Sequence, residues 1–340
     1  MKLNFCTLFN INYLAKGVAL YDSLIKTCPD FHLYIFAFDD LSYEVLRGEN
    51  LSNATIIPLA DFENERLLAV KANRSKAEYC YTCTPFTAKY CIETFALDHC
   101  TYIDADIYFY TDPTGLIVNM GDNSVLITPH NYHSLYDQSA ISGIYCVQFV
   151  CFKNTADGMK VLNWWADACI KWCYSAYEDG KMGDQKYLDS WPYMFDGVYI
   201  CRAPGAGMAP WNALGFDLKE KNNRLMIGDE PLYFYHFHGL IYLSNQKWYI
   251  GGYVIPAATM AYVYKPYIKH LLEIDKEVRS RFKHADALNT IDVKKVDMIT
   301  LKYKVGIYVI DIKKSFRKFF SDLFFNERRK HYRSNYIKID

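Results

Sequence analysis

The sequence predicts an α/β fold, a Rossmann-like mixed sheet flanked by helices and followed by a helical C-terminal extension. Three observations predict it. Short apolar runs alternate with amphipathic segments over the first sixty residues, the pattern of parallel strand–helix–strand units. Hydrophobic residues make up 51% and charged residues 22% of the 340, enough to bury a substantial core. From about Ala257 the pattern turns helical, and from Val305 its character changes again.

Residues 3–9 (LNFCTLF) read as a buried strand, closed by the polar break 10–12. Leu14, Val18, Tyr21 and Leu24/Ile25 share one face of a helix over 13–27, which Pro29 stops. A second strand, 32–38, ends in Asp39-Asp40. A short helix at 42–48 then leads to a third strand at 55–59. Residues 62–95 are mostly helical. Residues 99–110 (HCTYIDADIYFY) read as one strand with acids inside it. Further strands fall at 124–128 and 143–152, and an aromatic helix at 159–177. Residues 180–191 form a loop entering a helix, 202–214 lack periodicity, and 232–243 are a strand or loop.

The charges balance at 38 Lys plus Arg against 38 Asp plus Glu, which excludes a whole-chain polycation built for nucleic acid. The balance conceals an asymmetry. Residues 294–340 hold 13 Lys/Arg and 5 Asp/Glu, a net of +8, and 1–293 a net of −8. Within 305–333, Phe316, Phe319, Phe320, Leu323 and Phe324 fall at helical spacing, opposite Lys313, Lys314, Arg317 and Lys318. Such a basic amphipathic helix suits an anionic membrane surface. Equally, its Phe stripe can pack on the main domain or on a second subunit. No apolar run reaches the ~18 residues of a spanning helix, and residues 1–15 have no signal-peptide pattern. The 11 cysteines are therefore expected to be reduced and mostly small buried hydrophobes. Cys80 and Cys83 have CxxC spacing with no second pair at zinc-ribbon distance. The 30 tyrosines suit sugar faces or membrane interfaces, and an AT-rich genome gives the same bias.

Four short motifs could carry chemistry. Asp104 and Asp106 sit two apart in an apolar strand, where charges are costly unless paired or bound to metal. Residues two apart on a strand share a side, so both carboxylates could face one Mg²⁺ or Mn²⁺ holding a diphosphate, or be exposed acids at a strand end. His236 and His238 in YHFHG are either metal ligands or structural histidines. Asp184 in GDQ opens a helix, where an isolated Asp commonly caps. Lys71, Arg74 and Lys76 could clamp phosphates or line a solvated helix face. There is no nucleophile elbow, P-loop or GxGxxG turn.

Taken together and in order, NINYLAKGVALYDSL, KANRSK, YIDADIYFYTDP, GDQKYLD and HFHG resemble a GT-A fold glycosyltransferase, of the retaining glycogenin and lipopolysaccharide-galactosyltransferase group. The resemblance covers about residues 3–250. It implies a GT-A domain over 1–256 and a helical region over 257–340. It implies that Asn10, Tyr13 and the backbone near Leu8 hold the uridine, and that Arg74 reaches the donor nucleotide. Ile103 and Ala105 line the same ligand. Asp104 and Asp106 then bind Mn²⁺ (or Mg²⁺) and the donor diphosphate. His236 is the first choice for the third metal ligand, with His238 second. Asp184 and Gln185 become the sugar-contacting, catalytic pair.

The implied function is metal-dependent transfer of a sugar from a nucleoside-diphosphate donor, UDP-linked, with retention. The acceptor is a glycan or lipid-linked glycan in surface polysaccharide synthesis, because EYCYTCTP, GDQKYLDSWP, GMAPWN and YHFHG resemble a bacterial subgroup of that kind. The implied location is cytoplasmic and peripheral on the inner face of the membrane through 305–333, with no nucleic-acid partner. Two departures stand out. Cys146 occupies the position where the family has Asn, and no K-P-W follows the histidine motif, leaving Trp211 or Lys247 as substitutes. The competing functions are a non-catalytic nucleotide-sugar-binding protein on the same fold and a sugar-nucleotide nucleotidyltransferase.

Overall fold

The computed structural model describes residues 1–292 and 336–338. A seven-stranded mixed sheet with helices on both faces organises them, as the sequence predicts. In chain order its strands are β1 (Leu3–Phe9), β2 (Phe31–Ala37), β3 (Ala54–Pro58) and β4 (His99–Ile103). A short β5 (Ile107–Phe109) leaves the sheet, which resumes with β6 (Val125–Pro129), β7 (Tyr145–Lys153) and β8 (Val198–Ile200).

The spatial order is β3-β2-β1-β4-β7-β6-β8. The β3, β2, β1 and β4 group is parallel, β7 runs antiparallel to β4 and β6, and β8 is parallel to β6. The central strands are buried on both faces, which explains why β1 and β7 read as near-continuous apolar runs.

Two layers of helix cover the sheet. On one face the Leu14–Thr27 helix packs with Lys265–Arg281, and residues 263–288 share their core with β1 and β2. On the other face Lys76–Thr94 packs on Ala156–Lys171 over a core containing Trp165 and Trp191. The Lys76–Thr94 helix starts at a capping box. Glu78 N–H donates to the Ser75 hydroxyl, and Ser75 N–H donates to the Glu78 carboxylate. All eleven cysteines are free thiols, and all but Cys80 are buried.

After β8, β9 (Ala206–Met208) precedes a small antiparallel sheet of β10 (Leu218–Lys221), β11 (Arg224–Ile227) and β12 (Glu230–Pro231). Next come β13 (Phe234–His236) and a hairpin of β14 (Leu240–Tyr242) and β15 (Trp248–Ile250). A final β16 (Tyr336–Ile337) pairs with β15.

Three expectations are corrected. Residues 99–110 are two strands, not one. The chain breaks after Ile103 because β5 abandons the central sheet to pair antiparallel with β13, Ile107 opposite His236. The aromatic helix ends at Lys171, because the following segment turns back to Glu78, whose carboxylate accepts Ser175 N–H at 2.9 Å. The helix expected after residue 180 is a 3-10 turn, Lys186–Ser190, and a single turn, Trp191–Met194. Among the described residues, no helix is long and apolar enough to cross a membrane. The amphipathic stretch 305–333 lies outside the described residues.

Candidate active site

β1 has β2 on one side and β4 on the other, so the chain leaves β1 in one direction and returns on the opposite flank. In open α/β sheets, ligands bind outside the carboxyl ends of strands at such a reversal. Leu8 and Ile103, both buried, lie at the ends of β1 and β4. The turn Ile11–Tyr13 and the segment 104–106 therefore come side by side. The first turn is fixed from two directions. Asn12 N–H donates to the Asn10 side chain at 3.1 Å, and Ile11 N–H to Asp39 at 2.9 Å.

Asp104 and Asp106 stand at the break between β4 and β5, on either side of the buried Ala105. Their backbone is held on both sides. Asp104 N–H donates to Gln148 O on β7 at 3.1 Å, and Phe237 N–H donates to Asp106 O at 2.8 Å. The β5–β13 pairing delivers His236 to them. Its Nε2 is 3.1 Å from Asp106 Oδ1 and 3.9 Å from Asp104 Oδ2. Ligand atoms of these three residues lie within 4.8 Å of one another. Behind the ring, His236 Nδ1 is 2.8 Å from Gln148 Oε1, which accepts only if Nδ1 carries the proton. With Nδ1–H committed there, Nε2 is the nitrogen that faces the carboxylates, sharing its proton with Asp106 in the free protein and offering its lone pair once that proton leaves. Two carboxylate oxygens and one oriented imidazole nitrogen suit a borderline-hard divalent cation.

The electrostatics match this crowding. Burial pushes the Asp104 carboxyl up, against the pull of His236. Burial acts the same way on Asp106, but the Lys16 ammonium, 3.4 Å from its Oδ2, and His236 together hold it well below the usual carboxylate range. His236 is pushed down by burial but raised overall by Asp106 and then Asp104. Tyr102 donates its hydroxyl to Asp104 at 3.0 Å.

Asp184 is 5% exposed. Its carboxyl is pushed up to about 7 by burial and by Asp104, against a hydrogen bond from Thr84. It caps no helix: the residue at the head of the 3-10 turn is the half-buried Gln185. Its backbone oxygen accepts Trp165 Nε1–H at 2.8 Å, anchoring the loop to the Ala156–Lys171 helix.

Other expected residues are distributed unevenly. Tyr13 lies 43% exposed, with the Lys16 ammonium 4.4 Å from its ring centre. Trp211 stands edge-on to both His236 and His238, at 5.2 and 5.5 Å between ring centres. His238 is exposed, at the entry to the β14–β15 hairpin. Cys146, buried, feels the charges of Asp104, Asp184 and Asp106, which help burial push its thiol up. Lys247 is exposed in the β14–β15 turn.

Arg74 is not brought against the two acids. Its guanidinium donates to Ile170 O at 3.3 Å and stacks 3.9 Å from the centre of the Tyr174 ring. Gln148 and Lys16 were missed by the sequence reading. Gln148 carried a signal, an amide side chain inside the otherwise apolar run YCVQFVCF. Lys16 carried only its position one helical turn after Tyr13.

The fold and site define a mixed α/β protein with an Asp-Asp-His cluster at the strand-order reversal of its sheet. No family model matches the chain. It is 33% identical over 248 residues to the uncharacterized protein YfnF of Bacillus subtilis (strain 168), covering 70% of this chain and 82% of YfnF. It is 29% identical over 288 residues to the uncharacterized protein YfnD of the same strain, covering 82% of this chain and 92% of YfnD. The chain belongs to the family of YfnF. Solved structures similar to it are glycosyltransferases. One is the galactosyltransferase LgtC in complex with donor and acceptor sugar analogs (13% identity, 80% of this chain and 96% of that one, TM-score 0.45). Another is GlyE of Streptococcus pneumoniae TIGR4 (16%, 82% and 64%, TM-score 0.45). A third is the bifunctional WbbM (12%, 82% and 51%, TM-score 0.49).

Proposed function

We propose that the protein is a divalent-cation-dependent GT-A glycosyltransferase. It moves a sugar from a nucleoside-diphosphate donor of the UDP class to a glycan or lipid-linked glycan acceptor. The observation that carries this reading is the cluster of Asp104, Asp106 and His236 at the carboxyl ends of β1 and β4, beside Asn10 and Tyr13. Nucleotides bind at such strand ends, and the donor set fits Mn²⁺ or Mg²⁺.

Asp104, Asp106 and His236 would hold the cation, and Gln148 keeps the imidazole in the coordinating tautomer. A bound divalent ion supplies positive charge against the diphosphate that leaves as the C1–O bond breaks. Asn10, Tyr13 and the backbone around Leu8, Ile103 and Ala105 line the nucleotide. Asp184 and Gln185 orient the sugar hydroxyls, and the Asp184 carboxylate supports the oxocarbenium-like sugar. The sequence resemblance supports retention at C1, His238 as an auxiliary contact, and a role in surface polysaccharide synthesis. The basic face in 305–333 supports docking on the inner leaflet, where a lipid-linked acceptor would lie.

A panel of nucleotide-sugars, scored for metal-dependent hydrolysis and for protection against unfolding, tests the reading. Asp106→Asn should remove the metal-dependent part of both signals. Turnover or protection indifferent to EDTA and to Asp106→Asn would refute it.

A further inference from the structure

The diphosphate of a nucleotide-sugar needs positive charge from the protein as well as from a divalent ion. Neither of the two side chains from which such charge would be expected contacts the acidic pair. Arg74 is committed to Ile170 O and the Tyr174 ring, and Lys247 is exposed in the β14–β15 turn. Among the described residues, the side-chain ammonium that reaches the acidic pair is that of Lys16. It is 3.4 Å from Asp106 Oδ2, with only 14% of its side chain exposed. It also lies over the Tyr13 ring, 4.4 Å from its centre.

The backbone that carries this half-buried lysine is held by close packing. The Leu14–Thr27 helix approaches the end of β1 at Gly17, where a Cβ would fall 2.2 Å from the Phe9 ring. The backbone on either side of Lys16 is therefore fixed while its four-carbon stem remains free to swing.

We infer that Lys16 is the diphosphate-binding cation of this site, occupying Asp106 until a divalent ion takes that carboxylate. This rests on the nucleotide-sugar reading above. The charges dictate the exchange. With the His236 imidazole neutral, the two carboxylates and one ammonium sum to one negative charge. With a divalent ion held by the two acids and His236, the site would turn positive and Asp106 would no longer attract the Lys16 ammonium. Lys16, still within reach of the Tyr13 ring, would then be free to meet the diphosphate. Lys16 competes with the metal in the free protein and cooperates with it in the complex, so removing its charge affects the two ligands in opposite directions.

Titration calorimetry on the full chain tests this with three probes: Mn²⁺ alone, UDP in excess Mn²⁺, and uridine. Lys16→Met keeps the stem and deletes the charge. It should bind Mn²⁺ roughly tenfold more tightly and UDP roughly tenfold more weakly, the size of one charge-assisted contact. Uridine affinity should not change. Lys16→Arg should restore UDP affinity. Metal and UDP affinity falling together with thermal stability would mean a structural role and overturn the assignment. UDP binding by Lys16→Met equal to that of the unaltered chain would overturn it too, leaving the glycosyltransferase reading intact. An unaltered chain indifferent to UDP with Mn²⁺ would overturn both.

Discussion

The side chain of Gln148 accepts from His236 Nδ1 at 2.8 Å while its backbone oxygen accepts Asp104 N–H at 3.1 Å, so one residue of β7 positions two corners of the cluster. The backbone contact survives any substitution, and the side-chain contact can be removed separately. Gln148→Leu should leave Asp104 in place and release the imidazole. Loss of such an outer partner typically costs 10–100-fold in metal affinity. The variant strips the buried His236 Nδ1–H of its acceptor but also removes the unpartnered Gln148 Nε2, so stability should fall by no more than about 1–3 kcal/mol. A Mn²⁺ titration monitored by calorimetry checks the first expectation, and a denaturant melt the second. Unchanged Mn²⁺ affinity would mean that His236 is no ligand.

The same residue marks the limit of what the sequence reveals. The polar Gln148 is conspicuous within an apolar strand, but its partner is 88 positions away and no local pattern names it. Asp104 and Asp106 are equally conspicuous. The same-side rule for a continuous strand nevertheless gave the wrong reason for their convergence. The strand ends at Ile103, and what gathers the acids is the departure of β5 to pair with β13, a contact between segments more than a hundred residues apart. Parallel strand–helix units are legible because each element carries its own periodicity. Lys16 was hidden for the opposite reason: on an amphipathic helix a lysine normally belongs to the solvated face. Arg74 was legible as a phosphate clamp by composition alone, and its partners, Ile170 and Tyr174, come from a segment about a hundred residues away.

Asp184 should make stability depend on pH. Its folded carboxyl titrates near 7 against an ordinary value of 3.8, so folding favours the protonated form. The stabilisation is fully present below about pH 4 and is lost as pH rises towards and through 7. Three pH units correspond to roughly 4 kcal/mol as an order of magnitude. Asp184→Asn cannot ionise and escapes the loss. Urea denaturation of the metal-free protein should therefore show the variant gaining a few kcal/mol on the parent between pH 4 and pH 8. Catalytic turnover should fall in the same variant, the trade expected of a strained functional carboxylate. Parallel stability curves would show that Asp184 is not held protonated.

Arg74 should act on the segment that carries Asp184. Its guanidinium ties the Ile170 carbonyl and the Tyr174 ring to the start of the Lys76–Thr94 helix, while Glu78 takes the N–H of Ser175. Arg74→Ala should cost about 1–2 kcal/mol, the sum of one stacked cation and one hydrogen bond. It should also expose 172–183 to proteolysis. Arg74→Lys should recover little, because an ammonium cannot both stack and fork. Limited proteolysis with mass spectrometry locates the cut. A higher KM for the donor with unchanged kcat, stability and proteolysis would instead place Arg74 on the nucleotide.

Gly17 sets how closely the first helix approaches the sheet, and the magnitudes there oppose each other. Alanine in mid-helix is worth up to about 1 kcal/mol more than glycine from propensity alone. At Gly17 the added Cβ would lie 2.2 and 2.3 Å from two atoms of the Phe9 ring, which is itself 3% exposed and cannot move into solvent. Overpacking of that kind costs about 1–3 kcal/mol. The balance is unfavourable, so Gly17→Ala should destabilise by about 1 kcal/mol and push the neighbouring Lys16 away from Asp106. Phe9→Leu, which shortens the obstructing side chain, should destabilise alone yet lessen the cost of Gly17→Ala in the double variant. A double-mutant cycle by urea denaturation measures that coupling. Additive costs would mean that the two residues do not compete for the same space, and the close approach of helix to strand would then need another cause.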